Sequence, residues 1–391
     1  SSAASDVYKR QIVLYMYKVK ISTKDVLPFL YCIFITTYYS LRGWKFNNAI
    51  IGILLFLGVI FGCLQIFKYI ENKVISSIIL VFLILLSVYR MSLGSDTRLI
   101  ISIMSIFVGM HVEFYKIVRW ILYVKGPVVL FAIVFGGYTH INYVAMNMGT
   151  LVLLELYYNK DNIYKALGMA SVLYILGSFL SKSGSFIICI SLAIVLYVLS
   201  NIKVGEKIIH SRLWIGIFPI SLLLNLVLVW IYSAYVYSYS DTYFIRNLFP
   251  SAINGNLKMF IMAFNQFVSG RINLAAFSLE KFGYSFWGGN LDYKVDTGLP
   301  YFLVDSGMIL LLQDWGFLMM IISMVIFVFM MWRFWKNRQD ILIITGIVVA
   351  LWSMNEDVLI SVGMNFLFFA IGANLDISKI NDRMRRRKLE G

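Results

Sequence analysis

The sequence predicts an all-α polytopic integral membrane protein, with about twelve transmembrane helices and one large extracytoplasmic loop containing short helices. Three observations lead there. Of the 391 residues, 60% are hydrophobic and only 14% charged, and mean hydropathy is +0.80, values that exclude an ordinary soluble domain. Apolar runs long enough to cross a bilayer recur along most of the chain. From Ala234 to Asp305 that recurrence stops, and aromatics (Tyr235, Tyr243, Phe286, Trp287, Tyr293) alternate with isolated charges (Arg246, Lys258, Arg271, Asp292).

In chain order, SSAASDVYKRQ is small, polar and unlike the apolar runs that come after it. Residues 1–15 are therefore read as a non-native or disordered N-terminus, with a natural start expected at Met16. A membrane domain over 16–232 contributes nine spans, near 26–41, 48–67, 74–90, 98–115, 117–136, 141–158, 165–181, 185–200 and 213–232. The fifth is expected to kink or shorten at Lys125-Gly126-Pro127, because proline removes a backbone donor. The loop at 233–305 comes next, then three spans over 306–374 (306–332, 341–354, 357–374) and a basic tail at 375–391. Asp314 lies about two turns into the tenth run, a position it would escape if that helix entered the membrane later. Cys32, Cys63 and Cys189 are scattered through apolar runs and read as buried thiols.

Charge assigns the sides. Alternate connections, counting Lys125 among them, carry 24 of the 34 basic residues. The positive-inside rule then places both termini in the cytoplasm and the 234–305 loop outside. This asymmetry accounts for the net charge of +14. Anionic lipid headgroups suit the basic tail better than nucleic acid does. No Walker motif or glycine-rich dinucleotide turn occurs, so chemistry here would draw on an activated substrate or an ion gradient.

Candidate functional residues lie where charge meets the outward helix ends. Lys182 stands between Ser181 and Ser183 in a tight turn; hydroxyls beside a cation suit a phosphate, and an interfacial snorkelling lysine is the competing reading. Arg271, in Ser269-Gly270-Arg271-Ile272, offers a planar donor pair matched to phosphate oxygens, against an ordinary surface arginine. Asp305 and Glu356 could each act as a base or orient a hydroxyl, although acidic residues at helix starts are also common dipole partners. His140, in Gly137-Tyr138-Thr139-His140-Ile141-Asn142, is the outward histidine, with an interfacial hydrogen-bonding role as its alternative.

These stretches resemble the bacterial repeat-unit polymerases of capsule and O-antigen synthesis (Wzy-type), within the O-antigen polymerase and ligase group. Gly137–Asn142 resembles the family's asparagine-containing turn, and Leu180-Ser181-Lys182-Ser183 its Ser-Arg-Ser/Thr turn, with lysine in place of the commoner arginine. Ser269-Gly270-Arg271-Ile272 followed by Phe282-Gly283 is similar to its Ser-Gly-Arg…Phe-Gly stretch. Asp305-Ser306-Gly307, Trp315-Gly316, Glu356 and Asn365 resemble the carboxyl-terminal pattern.

The resemblance implies a metal- and nucleotide-independent glycosyltransferase in the bacterial cytoplasmic membrane. Its substrate would be an undecaprenyl-pyrophosphate-linked oligosaccharide, transferred onto the next lipid-linked unit at the outer leaflet. Flippase and chain-length regulator proteins are the implied partners, besides membrane lipids; neither nucleic acid nor a cofactor is. Arg271 and Lys182, supported by Arg246, would neutralise pyrophosphate, with Glu356, Asp305 or His140 handling the acceptor proton. Asn142, Ser181, Ser183, Ser269, Trp287 and Tyr293 would contact substrate. An O-antigen ligase is the near alternative, disfavoured because the long loop has no histidine. A flippase or secondary transporter is the distant one, disfavoured because most ionisable residues lie at span ends and no internal repeat is visible.

Overall fold

A computed structural model describes residues 22–45, 48–70, 73–93, 97–110, 112–237, 251–289, 291–292 and 303–375. The N-terminal segment 1–15, most of the basic tail, Arg246 and Tyr293 lie outside the described residues. Among the described residues the chain is helical, and one isolated bridge between Trp44 and Tyr138 is the sole extended pairing. The helices are α1 (Val26–Leu41), α2 (Asn48–Tyr69), α3 (Lys73–Ser92), α4 (Arg98–Gly109), α5 (Phe114–Val134), α6 (Ile141–Tyr158), α7 (Ile163–Ser181) and α8 (Gly184–Ser200). The short α9 (Lys203–Ile209) leads into α10 (Ile217–Tyr232), and α11 (Ser251–Phe267) and α12 (Arg271–Phe282) come next. The last three are α13 (Gly307–Lys336), α14 (Asp340–Trp352) and α15 (Leu367–Asn374).

Among the described residues, six helices are long and apolar enough to cross a membrane. Their outward faces are apolar too: Phe56 is 65% and Phe179 79% exposed. A water-soluble bundle would carry polar groups there, so lipid is the solvent these faces fit. The chain is thus a multi-pass helical membrane protein by its apolar helices. Its main core gathers α6, α14 and residues 358–371 around Tyr31, Tyr39, Trp315 and Trp352. A second core joins the helical pair α11–α12 to α10 and the start of α13 through Val229, Ile261, Val268, Ile272 and Ile309.

Three expectations need correction. Lys125-Gly126-Pro127 does not interrupt the fifth helix, which runs unbroken from Phe114 to Val134. Lys125 is wholly buried, with Nζ 2.5 Å from Asn147 Oδ1 and 3.0 Å from the Gly363 carbonyl. It therefore belongs to the interior and not to a basic surface connection. Neighbouring helices can supply what proline removes, which is why proline persists in membrane helices.

The tenth run is bent. Gly316 (φ 85°, ψ 168°) separates a wholly buried Gly307–Trp315 half from Phe317–Lys336. Twenty residues of helix cover about 30 Å, so the second half alone has the length to cross the hydrocarbon core. Asp314 falls before the bend, paired with the buried Arg90 at 2.9 Å. The amides freed at the bend find acceptors in the loop: Phe317 N–H donates to Ser285 O (3.0 Å) and Leu318 N–H to Phe286 O (3.2 Å), while Gly289 N–H donates to Asp314 O (2.8 Å). A side chain at Gly316 or Gly288 would strike the other's backbone, so the approach demands glycine on both strands of chain.

The expected span at 357–374 is helical only from Leu367. Residues 353–366 are unwound yet mostly buried. Irregular backbone at such a place needs donors from elsewhere. Ser102 Oγ donates to Ile360 O (2.7 Å), Thr150 Oγ1 to Met364 O (3.2 Å), Asn225 Nδ2 to Met354 O (3.3 Å) and Lys125 Nζ to Gly363 O. Asn365 Nδ2 closes the segment on itself at Leu359 O (2.8 Å).

Candidate functional site

Arg271 is the first residue of α12, reached through two consecutive left-handed residues, Ser269 (φ 59°) and Gly270 (φ 79°). Asn265 fixes this turn: its carbonyl accepts Gly270 N–H (2.8 Å) and its side-chain oxygen accepts Asn273 N–H (2.9 Å). The turn delivers the guanidinium into a buried position. There Nη1 lies 2.7 Å from Glu356 Oε1, and Nε lies 3.5 Å from Asp305 Oδ2. One arginine thus bridges two carboxylates from different segments.

A hydroxyl completes the cluster. Ser185 Oγ donates to Glu356 Oε1 (2.7 Å) and accepts from Arg271 Nη1 (3.2 Å). It sits in the first turn of α8, whose N-cap is Ser183, and the two hydroxyls are 3.0 Å apart. Main-chain contacts hold the acidic segments in register: Gly307 N–H donates to Glu356 O (3.2 Å) and Met308 N–H to Ser353 O (3.3 Å). Ser306 Oγ accepts from Asn225 Nδ2 (2.7 Å), tying Asp305's neighbour to α10.

The remaining predicted residues divide into near and far. His140 N-caps α6 and stands close enough for its charge to favour ionised Asp305. Lys182 ends α7 in a left-handed conformation (φ 48°); it is exposed beside the cluster, and no hydrogen bond or ion pair joins it to the cluster among the described residues. Ser181 Oγ turns back to Gly177 O (2.7 Å), so it serves its own helix. Ser269 is exposed on the turn and Asn142 lies in the first turn of α6, neither bonded to the carboxylates. Trp287 is 64% exposed at the bend of α13. It lies past the far end of α12, about 18 Å along that helix from Arg271, and does not line the cluster.

Three groups at or near the cluster were not anticipated. Ser185 is one. Arg98, the first residue of α4, pairs with Asp357, so adjacent acidic residues are each matched by an arginine from a different element. Buried Lys125 is the third, holding the far end of the same unwound segment. A sequence signal existed for the arginines: a cation at a helix N-terminus opposes the helix dipole and calls for an acidic partner.

Burial dominates the electrostatics. It pushes the Glu356 carboxyl up to about 7, against the pull of Arg271 and with help from Asp305. Burial likewise raises Asp305, offset by Arg271. A carboxyl poised near neutrality is suited to accept or release a proton. The folded state then holds a proton on Glu356 that the unfolded chain releases above its ordinary 4.5. This contribution to stability is full below about 4.5 and is lost as pH rises through about 7, by up to about 3 kcal/mol. Glu356→Gln is expected to flatten most of that slope in thermal unfolding measured across pH 4–8. An unchanged slope would remove the raised carboxyl as its source.

The chain matches no protein-family model, and no curated protein or solved structure is detectably similar to it. The cluster offers a cation fixed between two carboxylates, a bridging hydroxyl and an adjacent exposed lysine, a set suited to pairing an anionic leaving group with proton transfer. Among the described residues no group of His, Cys, Asp and Glu has the arrangement of a metal site.

Proposed function

We propose that this protein is a polysaccharide polymerase of the bacterial cytoplasmic membrane. It joins an undecaprenyl-pyrophosphate-linked glycan to the next lipid-linked repeat unit at the outer leaflet. The observation that carries the reading is Arg271 held against Glu356 and Asp305 with Ser185 between them. The acceptor hydroxyl oxygen attacks the anomeric carbon of the donor glycan as the bond to pyrophosphate breaks. Glu356 takes the hydroxyl proton, and polyprenyl pyrophosphate departs with the electron pair. Arg271 and Lys182 offset the departing charge, the service that guanidinium and ammonium groups give phosphates. Direct displacement inverts the anomeric centre, as in single-displacement glycosidases.

Sidedness has separate support. Asp25–Lys116 (3.1 Å), His210–Asp340 (3.2 Å) and Arg333–Asn374 (2.6 Å) are contacts among residues of the basic connections or their flanking helix ends. Arg98–Asp357 and the Arg271 cluster join residues of the other set. α14 links the two groups, with Asp340 at its start and Glu356 just past its end. With the basic end cytoplasmic, the cluster faces outward and both termini face in.

A secondary transporter is the second reading. It draws on the unwound segment 353–366 and on buried Lys125, because broken helices and interior charges mark many transport pathways. One experiment separates the two. A deletion strain is expected to display single-repeat surface glycan, with long polymer restored by the wild-type gene but not by stably expressed Arg271→Lys. Normal polymer from Arg271→Lys would sink the site assignment. Repeat units stranded on the cytoplasmic leaflet would favour transport.

A further inference from the structure

The helix α11 carries apolar side chains well beyond the side that faces the core. Between Leu257 and Val268 only Lys258, Asn265 and Gln266 are polar. Ile261 (0% exposed) and Val268 (7%) pack inward on the second core. On the other side Met259 is 73%, Phe260 57%, Met262 48% and Phe267 58% exposed. Phe260, Phe264 and Phe267 form a ladder of near-parallel rings, 5.9 and 6.3 Å between centroids. Large apolar side chains exposed together on the side away from the core normally meet an apolar partner.

Position indicates what covers them. The carboxyl end of α11 abuts the start of α8, where a Cβ on Gly184 would lie 3.8 Å from the Phe267 carbonyl. The adjoining helices present exposed Phe179, Ile187 and Ile188, the lipid-facing surface of the bundle. The outer face of α11 is therefore continuous with that surface. Lys258, on the flank, is placed as interfacial lysines are when their ammonium reaches toward phosphates.

We propose that the Met–Phe face of α11 is a bilayer-docking surface: α11 lies in the membrane interface with Met259, Phe260, Met262 and Phe267 in the acyl-chain boundary. Because α11 leads directly into Arg271, this seating fixes the Arg271–Glu356–Asp305 cluster at the level of lipid phosphates. The proposal concerns lipid contact alone, and holds whether or not the cluster transfers glycan.

The test uses wild-type protein in phosphatidylethanolamine–phosphatidylglycerol nanodiscs containing a phospholipid with a photoactivatable acyl chain. Cross-links are expected in the peptide spanning 251–267, and none above background around exposed Glu280 of α12. As a second measurement, nitroxide labels are placed singly at Met259→Cys, Met262→Cys and Glu280→Cys, with the three native cysteines changed to alanine. Collisions with oxygen should exceed those with a nickel chelate several-fold at 259 and 262, and the order should reverse at 280. Free nickel access at 259, with no cross-links in 251–267, would overturn the proposal. So would exclusion of both reagents with dipolar broadening between chains, which would assign the face to a second copy.

Discussion

Arg271→Ala is expected to lower stability by about 3–5 kcal/mol at pH 8, the range for removing one partner of a buried ion pair. Two carboxylates would lose their shared cation, and Glu356, 1% exposed, is buried away from bulk solvent. The cost should shrink toward pH 5, because a protonated Glu356 needs no counter-charge. Replacing Arg271 and the closer carboxylate with apolar residues, Arg271→Met with Glu356→Leu, should recover the part of the loss that belongs to the Glu356 pair and leave the part that belongs to Asp305. An apolar pair avoids desolvating either charge. Thermal unfolding in detergent at the two pH values measures all of this. If Arg271→Ala melted with the wild type at pH 8, the ion pair would not be holding the cluster together.

Arg90→Ala should be of similar size, about 3–5 kcal/mol, for a different reason. The helix α3 presents mostly exposed apolar surface and packs lightly on its neighbours. Near its end, Arg90 is 1% exposed, pairs with Asp314 and lies 4.3 Å over the Trp315 ring. Its removal takes a buried cation from Asp314 and forfeits a cation–π contact of about 2 kcal/mol when desolvated. With that tie cut, the release of α3 should appear as accelerated hydrogen exchange in both α3 and Asp314–Leu318. Arg90→Lys keeps the charge but not the plane that stacks on Trp315, so it should fall between wild type and alanine. Full rescue by lysine would show that stacking contributes nothing.

Much of the cluster is legible in the sequence. Arg271, Glu356, Asp305 and the Ser183 turn are short polar interruptions in apolar runs, and burying apolar surface draws such interruptions together at one end of a bundle. What sequence could not convey was partnership. Nothing in the chain pairs Arg98 with Asp357 rather than Glu356, or selects Ser185 over Ser181; helix orientation decides both. Lys125 is buried where sequence suggests a connection, because Lys-Gly-Pro reads as a break, whereas in a membrane helix the neighbours supply the missing contacts. The unwound stretch 353–366 was hidden for a related reason. An apolar run has the same composition whether its hydrogen bonds are its own or borrowed. Trp287 shows the converse: residue type marks it as a substrate contact, and only the fold places it beside the Gly316 bend.

That borrowing has a consequence for biogenesis. A membrane helix can enter lipid alone because it satisfies its own backbone, and residues 353–366 cannot. Their carbonyls depend on Ser102, Lys125, Thr150 and Asn225, from α4, α5, α6 and α10. All four donors are synthesised earlier, so the segment emerges into a receptacle already built. Residues 353–366 are then less a span inserted into the bilayer than a plug fitted into a protein, received by helices already in place.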